Sequence, residues 1–152
     1  MLSRRLLLMF VALLLLAGAF VSLPRQIVQW QLDEEYVQAL NRSDLRAVRE
    51  LVRRGASVRI RGLGGTTGLM LAARQDDVEL ARAILDRGAD VDARDNAGHT
   101  ALMVAAGKGG RRVLELLLER GADPEARDQR RLTALDYARE ARDPEAIRLL
   151  SR

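Results

Sequence analysis

Gly88-Ala89-Asp90, Thr100-Ala101-Leu102-Met103 and Gly121-Ala122-Asp123 follow one another in the middle of this 152-residue chain, and their spacing recurs on both sides. The first marker is present upstream as Gly55-Ala56-Ser57, so Gly55, Gly88 and Gly121 stand 33 residues apart. The second returns as Thr67-Gly68-Leu69-Met70 and Thr133-Ala134-Leu135-Asp136, again in steps of 33 and always twelve residues after the preceding glycine. Two motifs locked in phase over three periods define an array. Stacked short units build an elongated body that offers a contact surface rather than a catalytic pocket.

Within one period the apolar residues fall at helical spacing. Leu102, Ala105 and Ala106 share a face, as do Val113, Leu114, Leu117 and Leu118, which predicts two short helices per unit. Small residues at Ala72, Ala73, Ala105, Ala106 and Ala138 permit close approach of the first helices of adjacent units. Asp44, Asp77 and Asp143 stand where second helices begin, with a carboxylate to accept the free amides of the first turn. Pro144 after Asp143 fits the first helical position, and Gly55, Gly88 and Gly121 fit the left-handed residue that ends a helix.

The run Asp92 to Asp123, with Gly98-His99-Thr100-Ala101-Leu102-Met103-Val104-Ala105-Ala106 at its centre and Leu116-Leu117-Leu118 before Gly121-Ala122, resembles a full ankyrin repeat of the pattern D-x-x-G-x-T-P-L-H-x-A-A-x-x-G…LL…GA. The resemblance extends from about Glu35 to the carboxyl terminus. It implies an all-α ankyrin-repeat solenoid in which each unit is a β-turn finger followed by two antiparallel helices, preceded here by an apolar amino-terminal helix. The expected units are 35–65, 66–98, 99–131 and 132–152, two complete and two capping, after a linker at 25–34. By the same resemblance, a protein partner would contact finger tips and exposed first-helix positions: Leu63, Thr66, Arg74, Gln75, Asn96, His99, Lys108, Gln129 and Arg130.

Two departures from the family pattern carry expectations. The proline and histidine of T-P-L-H are replaced by Gly68 and Met70, Ala101 and Met103, and Ala134 and Asp136, so the turns should be softer than average. The finger Arg61-Gly62-Leu63-Gly64-Gly65 lacks the aspartate that Asp95 and Asp128 supply to the next two, and reads either as a slack connection or as a mobile finger that orders on a partner.

At the amino terminus, Arg4 and Arg5 precede an uncharged, mostly apolar run from Leu6 to Leu23. Residues 1–24 read as a secretory signal cleaved after Ala19 at Ala17-Gly18-Ala19, or as an uncleaved signal anchor crossing a membrane through residues 6–23. The anchor is preferred, because Phe20, Val21 and Leu23 continue the apolar run beyond the small residues. Either way the arginines hold that end in the cytoplasm and the repeats are expected outside it, in the periplasm or on the periplasmic face of a bacterial inner membrane. Trp30 fits either the lipid headgroup level or a lid over the first unit.

Net charge is +4, about half of it from Arg4 and Arg5, and aromatics make up 3% of the chain, which argues against nucleic acid. From Arg42 to Arg61 seven arginines face only Asp44 and Glu50, a solvated helix face or a contact for an anionic lipid or acidic partner. Without cysteine there are no disulfides and no thiolate metal sites. His99, the single histidine, has no second histidine or cysteine to build a metal site or a nucleophile pair. No catalytic residue, cofactor, metal or small-molecule substrate is expected. The chain reads as an envelope protein-binding module, or alternatively as a small accessory subunit or assembly factor of a membrane complex that makes its contact through the amino-terminal helix.

Overall fold

The computed structural model describes residues 25–151. These residues hold eight α-helices: α1 (Arg25–Asn41), α2 (Leu45–Arg54), α3 (Gly68–Arg74), α4 (Val78–Asp86), α5 (Ala101–Lys108), α6 (Arg111–Glu119), α7 (Ala134–Glu140) and α8 (Pro144–Leu150). One 3-10 turn, Leu63–Gly65, lies between α2 and α3. Each odd-numbered helix pairs with the even one that follows, and the pairs stack: α3 on α5 and α5 on α7 in one layer, α2, α4, α6 and α8 in the other. The expected apolar amino-terminal helix lies outside the described residues. No described helix is long and apolar enough to cross a membrane.

Short helices need their ends satisfied, and the threonine and aspartate markers do this in phase. The hydroxyls of Thr67, Thr100 and Thr133 accept from the amides of Met70, Met103 and Asp136 to start α3, α5 and α7. The carboxylates of Asp44, Asp77 and Asp143 do the same for α2, α4 and α8, and Pro144 occupies the first turn of α8. Gly55, Gly88 and Gly121 take the left-handed conformation that closes the second helices, at φ 102°, 80° and 82°. Between the two layers Leu69, Leu80, Ile84, Leu102, Leu114 and Leu117 are buried, and Ala72, Ala73, Ala105, Ala106 and Ala138 are all at 1% exposure or less.

Residues 25–34 are not a linker. They form the first half of α1 and are tied to the first unit, with Leu32 buried and the Asp33 carboxylate accepting from the Ser57 amide at 2.8 Å. Gln29 Nε2 reaches both Asp33, at 2.8 Å, and the Gly55 carbonyl, at 3.2 Å. The first helical pair therefore begins at Arg25 rather than at Glu35.

The arginine-rich stretch is largely spent inside the fold. Arg49 pairs with Asp77, Arg53 with Glu50 and Arg54 with Glu35, while Arg59 and Arg61 donate to the carbonyls of Gly88 and Arg94. Arg61, Arg94 and Arg127 form a staircase at the array period. The first two each donate to the carbonyl of the next, at 2.7 and 2.9 Å, and Arg127, the last, turns back to Arg131 O of its own finger.

Candidate functional site

Three consecutive first helices put the same face forward. Their buried sides fix α3, α5 and α7 against one another, which leaves the residues of their last turns and the fingers before them to line a groove of about 420 Å³. Met70 and Met103 form its floor, at 4% and 2% exposure, with Val104 and the ring of Tyr137 beside them. Arg74, Lys108 and Glu140 stand exposed at its rim, and Gly107 leaves the centre open.

The finger side of the groove is a linked polar network. The Asp95 carboxylate accepts from the amides of Ala97 and His99, both at 2.8 Å, and lies 2.9 Å from His99 Nδ1. Nε2 of the same imidazole faces Asp128 Oδ2 of the next finger at 3.7 Å. Asp128, buried, accepts from the Leu132 amide at 2.8 Å and from the Tyr137 hydroxyl at 2.7 Å. Arg130 completes the chain by donating to that hydroxyl at 2.7 Å, with its guanidinium 5.6 Å from the ring centre. The His99 and Tyr137 rings meet edge to face at 5.8 Å.

Burial works to raise both carboxyls, but hydrogen bonds outweigh it. Those from the His99 ring and amide hold Asp95 below the ordinary carboxylate range, and those from Tyr137 and the Leu132 amide do so for Asp128. Burial and the Asp128 carboxylate push the Tyr137 hydroxyl up. The network contains a histidine and two carboxylates, yet among the described residues no group of three such side chains is placed to hold a metal ion.

This network changes the expectation of soft turns. His99 stands four residues before the family's histidine position, which Met103 now fills, but its ring reaches carboxylates of two successive fingers. The fingers are also joined through their backbones: Asn96 N donates to Gly64 O at 2.8 Å and Gln129 N to Ala97 O at 3.1 Å. Nor is the glycine-rich finger a slack connection. Asn41 Oδ1 accepts from the Leu63 amide at 2.6 Å, and the Gly62 amide donates to Thr66 O at 2.8 Å, closing the turn.

The nine residues expected to contact a partner divide into two groups of four, with Gln75 apart from both. Thr66, Arg74, His99 and Lys108 line the groove together. Leu63, Asn96, Gln129 and Arg130 lie on the fingers, where Leu63 is 77% exposed, while Gln129 donates to Asn96 O and Arg130 is committed to Tyr137 and Asp128. Gln75 is exposed at the end of α3, outside the groove lining. Met70, Asp95, Met103 and Tyr137 also line the groove and are not among the nine. The phase offers a signal for Tyr137, which occupies the register of Leu71 and Val104, so an aromatic replaces an aliphatic residue at one step of the array.

None of the curated proteins compared matches the chain. A family model described as ankyrin repeats, in three copies, matches residues 36–128, more than half of the chain. That match covers α2 to α6 and the fingers before α3 and α5, and the helix pairs around it keep the 33-residue phase. The chain belongs to the ankyrin repeat family.

Proposed function

We propose that this protein–protein interaction module recognises its partner through the groove across α3, α5 and α7, and that it does so outside the cytoplasm, at the periplasmic face of a bacterial inner membrane. The observation that carries the site is the contrast within the groove. Its floor is buried and apolar, whereas the rim positions at one register of the array differ freely: Arg74, Gly107 and Glu140. A constant scaffold under varied exposed side chains suits recognition of one partner. Repeat stacks of this kind typically offer a contact surface, and the reading is of binding rather than catalysis. The compartment rests on Arg4 and Arg5 before the apolar run 6–23.

Exposed Val28 and Trp30 on α1, at 42% and 51%, favour a second reading, in which the end of the array next to the apolar run docks on a membrane complex. A pull-down of the full-length chain from detergent-solubilised membranes separates the two. Alanine at Arg74, Lys108 and Glu140 together is expected to lose the partner, and alanine at Arg82 and Glu115 on the second helices to keep it. Loss with the second-helix variant alone places recognition on the other face, and loss only with Trp30→Ala supports the docking reading. For the compartment, a reporter enzyme fused after Arg152 that is active only in the cytoplasm should be silent; activity overturns the topology.

A further inference from the structure

In the last two units most of the described arginines are paired within the fold. Arg111 pairs with Asp143, Arg112 with Asp76, Arg120 with Asp86, Arg130 with Asp128 and Arg139 with Asp136. The charged residues of the groove rim are not paired in this way. Arg74 and Lys108 at the ends of α3 and α5, and Glu140 at the end of α7, are exposed and enter none of the ion pairs or side-chain hydrogen bonds among the described residues. Two cations, on α3 and on the central α5, and one anion, on α7, thus face one groove without a direct ion pair.

Between them the surface is apolar and open. Gly107 occupies the register of Arg74 and Glu140, and a Cβ there would lie 3.4 Å from the Tyr137 ring, so the backbone and the ring face the same space. Met103 beneath is a thioether that adapts to an aliphatic guest. Adjacent packed helices lie about 8–10 Å apart, which separates α3 from α7 by about 16–20 Å. An extended chain advances about 3.3 Å per residue, so it spans that distance in about five or six residues.

We infer that the groove takes an extended segment of a partner protein bearing an acidic side chain between Arg74 and Lys108, an apolar side chain over Gly107 and Tyr137, and a basic side chain at Glu140. The inference rests on the groove being the recognition face. The unpaired rim charges then set specificity and direct the encounter more than they add affinity, because they are solvated before binding.

The test uses the full-length chain in detergent micelles and three fluorescein-labelled peptides: Asp-Ala-Thr-Leu-Thr-Ala-Lys, the same peptide with Ser for Leu, and Lys-Ala-Thr-Leu-Thr-Ala-Lys. By anisotropy the first peptide should bind at least tenfold more tightly than either control, and more weakly as salt is raised. R74E/K108E, two exposed changes, should invert the preference in favour of the peptide with two lysines. No binding of the first peptide, or an order of preference that R74E/K108E leaves unchanged, overturns the inference. If the native partner is still lost on alanine substitution of the rim, the groove reading survives and only the charge assignment falls. If the partner is kept as well, both fall.

Discussion

Tyr36 explains a departure from the repeat pattern at the cost of an unpaired group. Its side chain is fully buried in the first unit, the hydroxyl finds no hydrogen-bond partner among the described residues, and burial pushes its pKa up to about 12. A side chain at Gly68 would collide with that hydroxyl, which is why glycine stands where the family has proline. A buried polar group left unpaired costs about 1–3 kcal/mol. Tyr36→Phe should therefore raise stability by about 1 kcal/mol, read as a higher urea midpoint at unchanged slope. Gly68→Ala should destabilise the native chain and do so less in the Tyr36→Phe background, so the two changes are coupled; additivity would mean the hydroxyl does not define that space. Leu117, fully buried between the layers, belongs to the ordinary core, and Leu117→Ala should cost about 2–5 kcal/mol. A loss below about 1 kcal/mol would contradict its placement.

A helix in this array can depend on the unit before it. α6 starts at Gly110, which has no side chain to cap it, and a Cβ there would strike the Ala73 carbonyl of the preceding unit. The missing acceptor comes from that same unit: Asp76 Oδ1 accepts from the Val113 amide at 2.9 Å. Asp76 is itself left-handed, at φ 53°, as are Ser43, Gly109 and Arg142 at the same register. Asp76→Ala should lose about 2 kcal/mol, the sum of a cap and the poorer fit of alanine to a left-handed turn. Asp76→Asn keeps an acceptor and tolerates that conformation, so it should lose only a few tenths of that. Equal losses would show that the bond to α6 contributes nothing. This dependence marks a limit of legibility. Asp44, Asp77 and Asp143 were readable as caps because they precede their own helices, whereas Asp76 serves a helix 35 residues further on, a distance no local pattern encodes.

At the scale of the molecule, the phase and the helices were legible because repetition multiplies weak local signals, while the joints between units were not. The acceptors of Arg61 and Arg94 are backbone carbonyls, which leave no mark in residue type, and the groove network joins Asp95, His99, Asp128 and Tyr137 from two fingers and a helix. The half-chain that holds this network should also be the more sensitive to acid. Asp95, Asp128, Asp136 and Asp143, the carboxyls held below the ordinary range, all lie beyond α4. For Asp136 the cause is the Thr133 amide and hydroxyl, and for Asp143 the Arg111 guanidinium. A carboxyl whose folded pKa is depressed contributes stability that is fully present above its unfolded value, near 4, and is lost as pH falls through the folded value. Units of a solenoid contact only their neighbours, so the loss need not spread evenly along the stack. On moving from pH 6 to pH 3, amide exchange corrected for intrinsic rate should accelerate first in α7 and α8 and last in α3 and α4. Asp143→Asn should remove part of that acid sensitivity from α8 while lowering stability at pH 6, where the charged pair with Arg111 is lost. Exchange that rises uniformly along the array, or first in α3 and α4, would show that the acid response is set by net charge rather than by these four carboxylates.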